Sequence, residues 1–143
     1  MAEIFKHSFR ATEMDARDGM EFVITKLQQA CANQDWTGTV EIALAEAVNN
    51  IVEHAYAGLP EGTVEIACDL DKTGLTMQIM DFGNALGSNE LPPGNPVDLD
   101  VALEDLPEGG FGWFLLRELT QSISYDRKDG ANILTLAFDA SPN

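Results

Sequence analysis

The sequence predicts an α+β fold, a two-layer sandwich in which helices cover one face of a mixed, mostly antiparallel sheet. Three observations support this fold class. The predicted elements follow the order strand, two helices, two strands, loop, helix, two strands. Two pairs of strand patterns are each joined by a short polar turn that contains glycine. With 143 residues, 45% of them hydrophobic, the chain can bury one core, so residues 1–143 are expected to form a single domain.

The amino-terminal pattern predicts a strand followed by a helix. Residues 2–10 alternate loosely between apolar and polar side chains, as strands do. Thr12, with Asp15 three residues later, has the spacing of a helix start in which the threonine side chain caps the first turn. Apolar residues then recur at helical spacing, so the helix is expected to continue to about Asn33.

A second, central helix carries a continuous apolar stripe. A short break is expected at residues 35–38, where Thr37 can cap the new helix. The helix should end near Tyr56, because glycine, leucine and proline follow at residues 58–60. The stripe that faces the core consists of Val40, Ala43, Leu44, Ala47, Val48, Ile51 and Ala55.

Two adjacent strands are predicted next. Residues 64–70 and 75–79 both alternate between apolar and polar side chains. The sequence Asp-Lys-Thr-Gly at residues 71–74 is typical of the turn in a hairpin. These residues therefore predict an antiparallel pair.

The carboxyl-terminal half begins with a long segment that has no periodicity. Residues 84–109 contain four prolines, and a loop of this length inside a domain is usually a functional lid. Residues 111–120 then predict a helix. Residues 122–126 and 132–138 predict a closing hairpin around Asp-Gly at residues 129–130.

The composition limits the classes of partner. The net charge of −16, from 24 acidic and 8 basic residues, disfavours binding to nucleic acids or to anionic membranes. The first residues do not resemble a signal peptide, and no apolar run is long enough to cross a bilayer. Cys31 and Cys68 are too few for a disulfide framework and are expected to be buried, reduced thiols. A cytoplasmic protein is therefore expected.

The first candidate site lies on the central helix. Glu46 and Asn50 are four residues apart, so they are neighbours on one flank at the rim of the apolar stripe. A carboxylate beside an amide oxygen can supply a proton acceptor and a ligand for Mg²⁺. The alternative is that the pair is part of an ordinary solvated helix flank.

A second candidate site lies at the end of the second paired strand. Asp81 is followed at two residues by Gly83, an arrangement that lets a ligand lie against the backbone while the carboxylate accepts a hydrogen bond, for example from an exocyclic amine. The alternative is an ordinary exit from strand to turn. The Asp-Phe-Gly sequence is not that of the eukaryotic-type protein kinases, whose glycine-rich loop, strand lysine and catalytic loop are missing here.

A third candidate site opens the last helix. Gly110 and Gly112 lead into it, and glycines at a helix amino terminus expose unpaired N–H groups that suit a phosphate. The pattern is neither a dinucleotide-binding fingerprint nor a P-loop, because the third glycine of the first and the Gly-Lys-Ser/Thr of the second are absent.

The order and spacing of these motifs resemble the GHKL ATPase superfamily, the ATP-binding fold of gyrase, histidine kinases and MutL. Within it, the chain looks most like the stand-alone anti-sigma-factor serine kinases of the RsbW and SpoIIAB type. The resemblance covers nearly the whole chain. It is carried by residues 46–56, 81–83, 108–116 and 125–130.

The resemblance implies a role for each candidate residue. Glu46 would be the general base for a serine hydroxyl or a water molecule, and Asn50 would bind a Mg²⁺ ion that bridges the triphosphate of ATP. Asp81 would bind the amino group of adenine, and Gly83 would leave room for the base. The phosphates would be held by the backbone at the start of the last helix, at Gly110, Phe111 and Gly112.

One departure from this pattern concerns charge. Between Lys72 and Arg117 there is no lysine or arginine, whereas the lid at residues 84–109 contains six acidic residues. A triphosphate would have to be neutralised by Mg²⁺, by helix-end N–H groups or by a partner residue. Weak nucleotide binding with strong Mg²⁺ dependence is therefore expected.

The resemblance also implies partners. Proteins of this type phosphorylate a serine on a STAS-domain antagonist and bind a sigma factor, in a partner switch that controls transcription, and they commonly form homodimers.

A different class of function is a non-catalytic module that binds ATP or ADP and sequesters its partner. Turnover separates the two, because sequestration alone does not require Glu46 beside Asn50. A histidine kinase is a third alternative, disfavoured because no phosphoacceptor helix pair precedes the domain.

Overall fold

A computed structural model describes residues 3–31, 33–56, 59–60, 62–84 and 110–141, and the side chains within them except those of residues 3 and 110–114. These residues form one five-stranded sheet with helices packed on one side. The strands are β1 (Glu3–Arg10), β2 (Thr63–Asp71), β3 (Gly74–Asp81), β4 (Ser122–Lys128) and β5 (Ala131–Asp139). The helices are α1 (Glu13–Ala30), α2 (Gln34–Asn50) and α3 (Gly110–Leu119), and a π-helical turn, Ile51–Ala55, continues α2.

The sheet has the strand order β1-β2-β3-β5-β4, and all four pairings are antiparallel. The predicted α+β sandwich is confirmed. Both predicted hairpins form, and at the turn between β4 and β5 Asp129 and Gly130 have positive φ angles of 54° and 81°. Two consecutive left-handed residues match the right-handed twist of the flanking strands, which explains the Asp-Gly sequence there. The central pairing of β3 with β5 joins strands that are distant in sequence.

The core lies between the inner face of the sheet and the helices. Residues on β2 and β3 alternate between buried and exposed, as the sequence predicts. The stripe on α2 is also confirmed, because its five members from Val40 to Val48 are completely buried. Cys68 is buried, which raises the pKa of its thiol to about 12, so it is an inert core residue. Cys31, in contrast to the prediction, is only half-buried and donates a hydrogen bond to Ser141 Oγ.

The predicted beginning of the central helix is wrong by about four residues. α2 begins at Gln34, because the Asn33 side chain accepts a hydrogen bond from the Trp36 N–H at 2.8 Å and so caps the helix. Residues 35–38 are helical, and Thr37 is not a cap. Its side chain is buried, and its hydroxyl donates to the backbone oxygens of Asn33 and Gln34. The cap predicted at Thr12 is confirmed by the hydrogen bond from the Asp15 N–H to its hydroxyl.

No helix within the described ranges combines the length and the apolar composition needed to cross a membrane. α1 is long enough at 18 residues, but its exposed face carries charged side chains, among them Glu13, Asp18 and Glu21. α1 instead packs against α2 and β1. The helices of the described residues therefore belong to the layer that covers the sheet.

Two glycines within helices should respond oppositely to replacement by alanine. A Cβ atom at Gly19 in α1 would lie 2.2 Å from the buried ring of Phe9, whereas a Cβ at Gly38 in α2 would meet nothing within 4 Å. We expect Gly19→Ala to lower the free energy of unfolding by about 1–3 kcal/mol, because overpacking outweighs the gain in helix propensity. Gly38→Ala should raise it by about 0.5–1 kcal/mol. Urea unfolding of both variants checks the pair, and an equal effect at the two sites would contradict it.

Candidate functional site

The flank of α2 that carries Glu46 and Asn50 is half-buried at both positions. The Asn50 side chain makes no hydrogen bond with any described residue, and its Nδ2 is buried. It is the one buried side-chain nitrogen or oxygen in the described part of the chain without a partner. A buried amide without a partner is costly in a folded protein, and such groups often belong to sites that a ligand completes. The unpaired atom is a donor, so a ligand that completed this site would place an acceptor against Nδ2; the role of Asn50 as an amide ligand of Mg²⁺, with Glu46 one turn before it, stays a prediction.

The end of this helix is tied to the end of β3. The π-helical turn directly after Asn50 is a rare conformation that is frequent at functional sites. Its last carbonyl, at Ala55, accepts a hydrogen bond from the Asn84 N–H at 2.6 Å, which satisfies a group that helix ends leave unpaired. The two predicted motifs, one on α2 and one at the end of β3, are thus joined by a direct backbone contact.

Gly83 lies at this junction. A Cβ atom there would be 2.3 Å from the Ala55 oxygen and 2.6 Å from its carbonyl carbon, so only glycine allows β3 to approach the helix end so closely. This is a packing reason for the glycine that the sequence alone did not indicate. The expectation that Gly83 leaves room for a nucleobase stays a prediction.

Asp81 is the last residue of β3, on the inner face of the sheet, and it is 3% exposed. Its Oδ1 atom accepts hydrogen bonds from the Gly83 N–H at 2.9 Å and from Asn132 Nδ2 at 2.8 Å. Burial raises the pKa of this carboxyl above its ordinary value. The hydrogen bonds from Asn132 and Gly83 and the charge of Arg127 act in the opposite direction.

The hairpin of β4 and β5 completes the surroundings of Asp81 with residues to which the sequence analysis assigned no role. Asn132 Nδ2 also donates to the Asn84 oxygen at 2.9 Å, and Asn132 Oδ1 accepts from the Tyr125 hydroxyl at 2.5 Å and from Arg127 Nη1 at 3.0 Å. Arg127 Nη1 donates in addition to the Gly83 oxygen at 2.7 Å. The sequence has no lysine or arginine between Lys72 and Arg117. Arg127 on β4 therefore supplies a positive charge beside Asp81.

The sequence does contain a signal for Asn132. Along β5 the buried positions alternate, and Asn132 occupies one of them together with Leu134, Leu136 and Phe138. A polar residue on the core-facing side of a strand needs hydrogen-bond partners, and this need marks it as part of a site.

Tyr56 supports the same region from the other side. Its hydroxyl donates to the Thr63 oxygen at 2.8 Å and accepts from the Phe82 N–H at 2.9 Å. The side chain is buried, and burial raises the pKa of its phenol. Tyr56 thus links the end of the helix to β2 and to the residue between Asp81 and Gly83.

The third predicted motif lies at the start of α3, which begins at Gly110 and includes Phe111 and Gly112 in its first turn. α3 packs against α2, the helix that carries Glu46 and Asn50. An amino terminus of this kind offers free N–H groups to an anion. The predicted lid at residues 84–109 lies, beyond Asn84, outside the described residues.

The arrangement suits a ligand with two chemically different ends. At the end of β3, a buried carboxylate can accept a hydrogen bond from a base. On α2, a carboxylate and an amide can serve a proton transfer and a divalent cation. Within the described residues no group of three or more histidine, cysteine, aspartate or glutamate side chains could hold a metal ion.

Comparison with known proteins agrees with this geometry. Residues 9–138 match the family model of the histidine kinase-like ATPase domain, and the chain belongs to that family. Its curated relatives include the serine/threonine-protein kinase BtrW of Bordetella bronchiseptica, 31% identical over 106 residues, which are 73% of this chain and 71% of the relative. The serine-protein kinase RsbW of Bacillus thuringiensis and of Bacillus cereus is 32% identical over 96 residues, 66% of this chain and 59% of the relative. Within the family, the chain groups with these GHKL serine/threonine-protein kinases.

Proposed function

We propose that the protein is an ATP-dependent protein-serine kinase that phosphorylates a STAS-type antagonist and also binds a sigma factor. Phosphorylation would switch the kinase between these partners and so regulate transcription in the cytoplasm. The observation that carries the proposal is the Asn50 amide, whose buried Nδ2 has no partner within the described residues and which lies one turn after Glu46 on α2. The family membership and the serine-kinase relatives support it.

In this proposal Glu46 acts on the attacking group. Its carboxylate would accept the proton of the serine hydroxyl as the oxygen bonds to the terminal phosphorus and the bond from that phosphorus to the bridging oxygen breaks, which leaves ADP; Glu46 would thus be the general base. Asn50 would hold Mg²⁺ through its amide oxygen, and the chemistry that the ion would supply there is neutralisation of charge on the phosphates. The backbone N–H groups at Gly110, Phe111 and Gly112 bind the phosphates through the positive end of α3.

At the other end of the nucleotide, Asp81 receives the base. Its Oδ1 is occupied by the two donors from Gly83 and Asn132, and within the described residues nothing donates to Oδ2. An ionised carboxylate oxygen can accept a hydrogen bond from the 6-amino group of adenine. Ionised Asp81 therefore favours ATP as the phosphoryl donor.

The binding step is tested by calorimetric titration of ATP into the protein, with and without Mg²⁺. We expect Mg²⁺-dependent binding and, in Asn50→Ala, a loss of affinity on the order of tenfold or more in the presence of Mg²⁺. Asn49→Ala is the matched control, because Asn49 is the exposed neighbour of Asn50 on the same helix. Its affinity should stay within about twofold of wild type.

Other results of this titration would contradict the proposal. Equal losses in the Asn50 and Asn49 variants would remove the assigned role of Asn50 in holding the ion. No binding of ATP at all by the wild-type protein would leave the non-catalytic sequestration module as the better description of this chain.

A further inference from the structure

Asp81 and Asn132 form a buried polar pair in the apolar inner face of the sheet. They lie directly opposite each other in the register of β3 and β5 and are 3% and 6% exposed. Besides them, only Thr37 is polar and buried among the described residues. Burying polar groups is costly unless their hydrogen bonds are made, so this pair requires a compensating role.

The hydrogen bonds of Asn132 fix the orientation of its amide. Both hydrogens of Nδ2 are used, one toward Asp81 Oδ1 and the other toward the Asn84 oxygen. Its Oδ1 receives hydrogen bonds from the Tyr125 hydroxyl and from Arg127, whose guanidinium can only donate. A flipped amide would place its oxygen against two acceptors, Asp81 Oδ1 and the Asn84 oxygen, and its nitrogen against the Arg127 donor. Chemistry alone therefore determines that Asn132 is a donor toward Asp81.

The hydrogen bond from Asn132 determines which hydrogen-bonding group Asp81 can present to a ligand. With the N–H groups of Asn132 and Gly83 both directed at Oδ1, the carboxyl is held in one rotamer, and these two donors offset part of the pKa-raising effect of burial. Of the forces that oppose the pKa-raising effect of burial, the hydrogen bond from Asn132 is the largest. Oδ2 is left as an acceptor that can bind an amino group but not a carbonyl group.

We propose that Asn132 is a positioning residue that sets nucleobase selectivity, because it keeps Asp81 an acceptor and thereby favours a 6-amino purine over a 6-oxo purine. The inference rests on the proposed function, since it concerns the same nucleotide site. Asn132 does not touch the base in this proposal; it acts through Asp81. Its hydrogen bond to the Asn84 oxygen and that of Arg127 to the Gly83 oxygen also fix the backbone on which Asp81 depends.

The test compares the affinities of ADP and inosine diphosphate, which carries a 6-oxo group and an N1–H in place of the 6-amino group and the N1 acceptor. The wild-type protein should prefer ADP by about 100-fold or more. With inosine diphosphate, the 6-oxo oxygen would face Asp81 Oδ2, and neither of these two acceptors could donate a hydrogen bond. In Asn132→Leu, an isosteric change that removes the donor, the preference should fall to within about tenfold, and this fall should begin at a higher pH than in the wild-type protein.

The direction of the pH dependence follows from the same chemistry. Below its pKa, Asp81 is protonated and can donate to a 6-oxo group; above it, Asp81 accepts from a 6-amino group. Without Asn132 the pKa of Asp81 rises, so the change in selectivity moves to higher pH. Within the described part of the chain, the structure places three titratable or charged side chains against this network, those of Tyr56, Tyr125 and Arg127, and all three are retained in Asn132→Leu.

A structural role for Asn132 would give a different result, because weaker packing lowers the affinity for both nucleotides equally. An unchanged ratio in Asn132→Leu at every pH would therefore overturn the inference. Should this variant fail to fold, Tyr125→Phe decides, since it removes only the hydroxyl that orients Asn132 Oδ1. It should shift the ratio in the same direction by about threefold or more, and an unchanged ratio overturns the inference.

Thr135→Val serves as the control on the same strand, because Thr135 lies on β5 at a half-buried position of the opposite face. Its ratio should match that of the wild-type protein, and a shift as large as that of Asn132→Leu would overturn the inference.

If the wild-type protein binds neither nucleotide, the proposed function fails and the inference fails with it. If the wild-type protein prefers ADP and all variants keep that preference, the inference alone fails.

Discussion

Replacing Glu46 by glutamine should lower the rate of phosphoryl transfer by about 10²–10⁴-fold while ATP still binds within about threefold of wild type. Glutamine keeps the shape of the side chain and its position one turn before Asn50, but its amide cannot accept the proton of the attacking hydroxyl. The ground state of bound ATP does not involve that proton, so the loss should be confined to the rate. Single-turnover transfer to a STAS-domain partner, with ATP affinity measured in parallel, checks both parts.

Glu41→Gln is the matched control for this change. Glu41 is exposed on the same helix, five residues before Glu46, and its replacement removes the same charge from α2. Its transfer rate should stay within about twofold of wild type. If Glu46→Gln retained the full rate, Glu46 would not be the base. If it lost transfer but kept regulation of its partner, sequestration rather than phosphorylation would be the function.

Much of the fold could be predicted because hydrophobic periodicity is a local property. The alternation in β2 and β3 and the apolar stripe on α2 each indicate which face is buried. In the structure, the positions predicted to face the core are the buried ones. The turn at Asp129 and Gly130 is likewise local, since its backbone angles depend on those two residues. Short-range patterns therefore predicted the hairpins and the layers.

The features that the sequence did not reveal depend on contacts between distant residues. The choice of Asn33 over Thr37 as the cap of α2 coincides with a hydrogen bond from Trp36 Nε1 to the oxygen of Asp139, more than a hundred residues away. Both residues can cap a helix, but asparagine is the better cap, so the local preference and the tertiary contact both favour Asn33. The predicted beginning of α2 was therefore wrong by about four residues.

The same reasoning applies to the candidate site. Glu46, Asn50 and Asp81 could be singled out because each belongs to a short motif. Asn132 is 51 residues from Asp81, and only the pairing of β3 with β5 brings them together. A polar side chain at a core-facing strand position indicates that a partner exists without indicating which residue it is.

Replacing Asp81 by asparagine should separate stability from function. Burial raises the pKa of Asp81 in the folded protein, so the folded state binds this proton more tightly than the unfolded state does. At pH values above the unfolded pKa, about 3.9, the ionised carboxyl therefore opposes folding of the ligand-free protein. The neutral variant should be at least as stable as the wild type near pH 7, and its advantage should shrink as the pH falls through the folded pKa of Asp81. Urea unfolding at several pH values measures this difference.

The nucleotide preference of the same variant should invert. The N–H groups of Gly83 and Asn132 both need an acceptor, so they orient the new amide with its oxygen in the place of Oδ1. Its NH₂ group then occupies the place of Oδ2 and meets the 6-amino group of adenine, donor against donor. We expect the affinity for ATP to fall by about 100-fold or more and inosine triphosphate to become the better ligand. Asp69→Asn, an exposed carboxylate on β2, is the control and should change neither property. A variant that lost stability but kept its preference for ATP would contradict this prediction and would give Asp81 only a structural role in the core. If the Asp81 carboxylate accepts a hydrogen bond from the base, replacing that acceptor by a donor must change which base is bound.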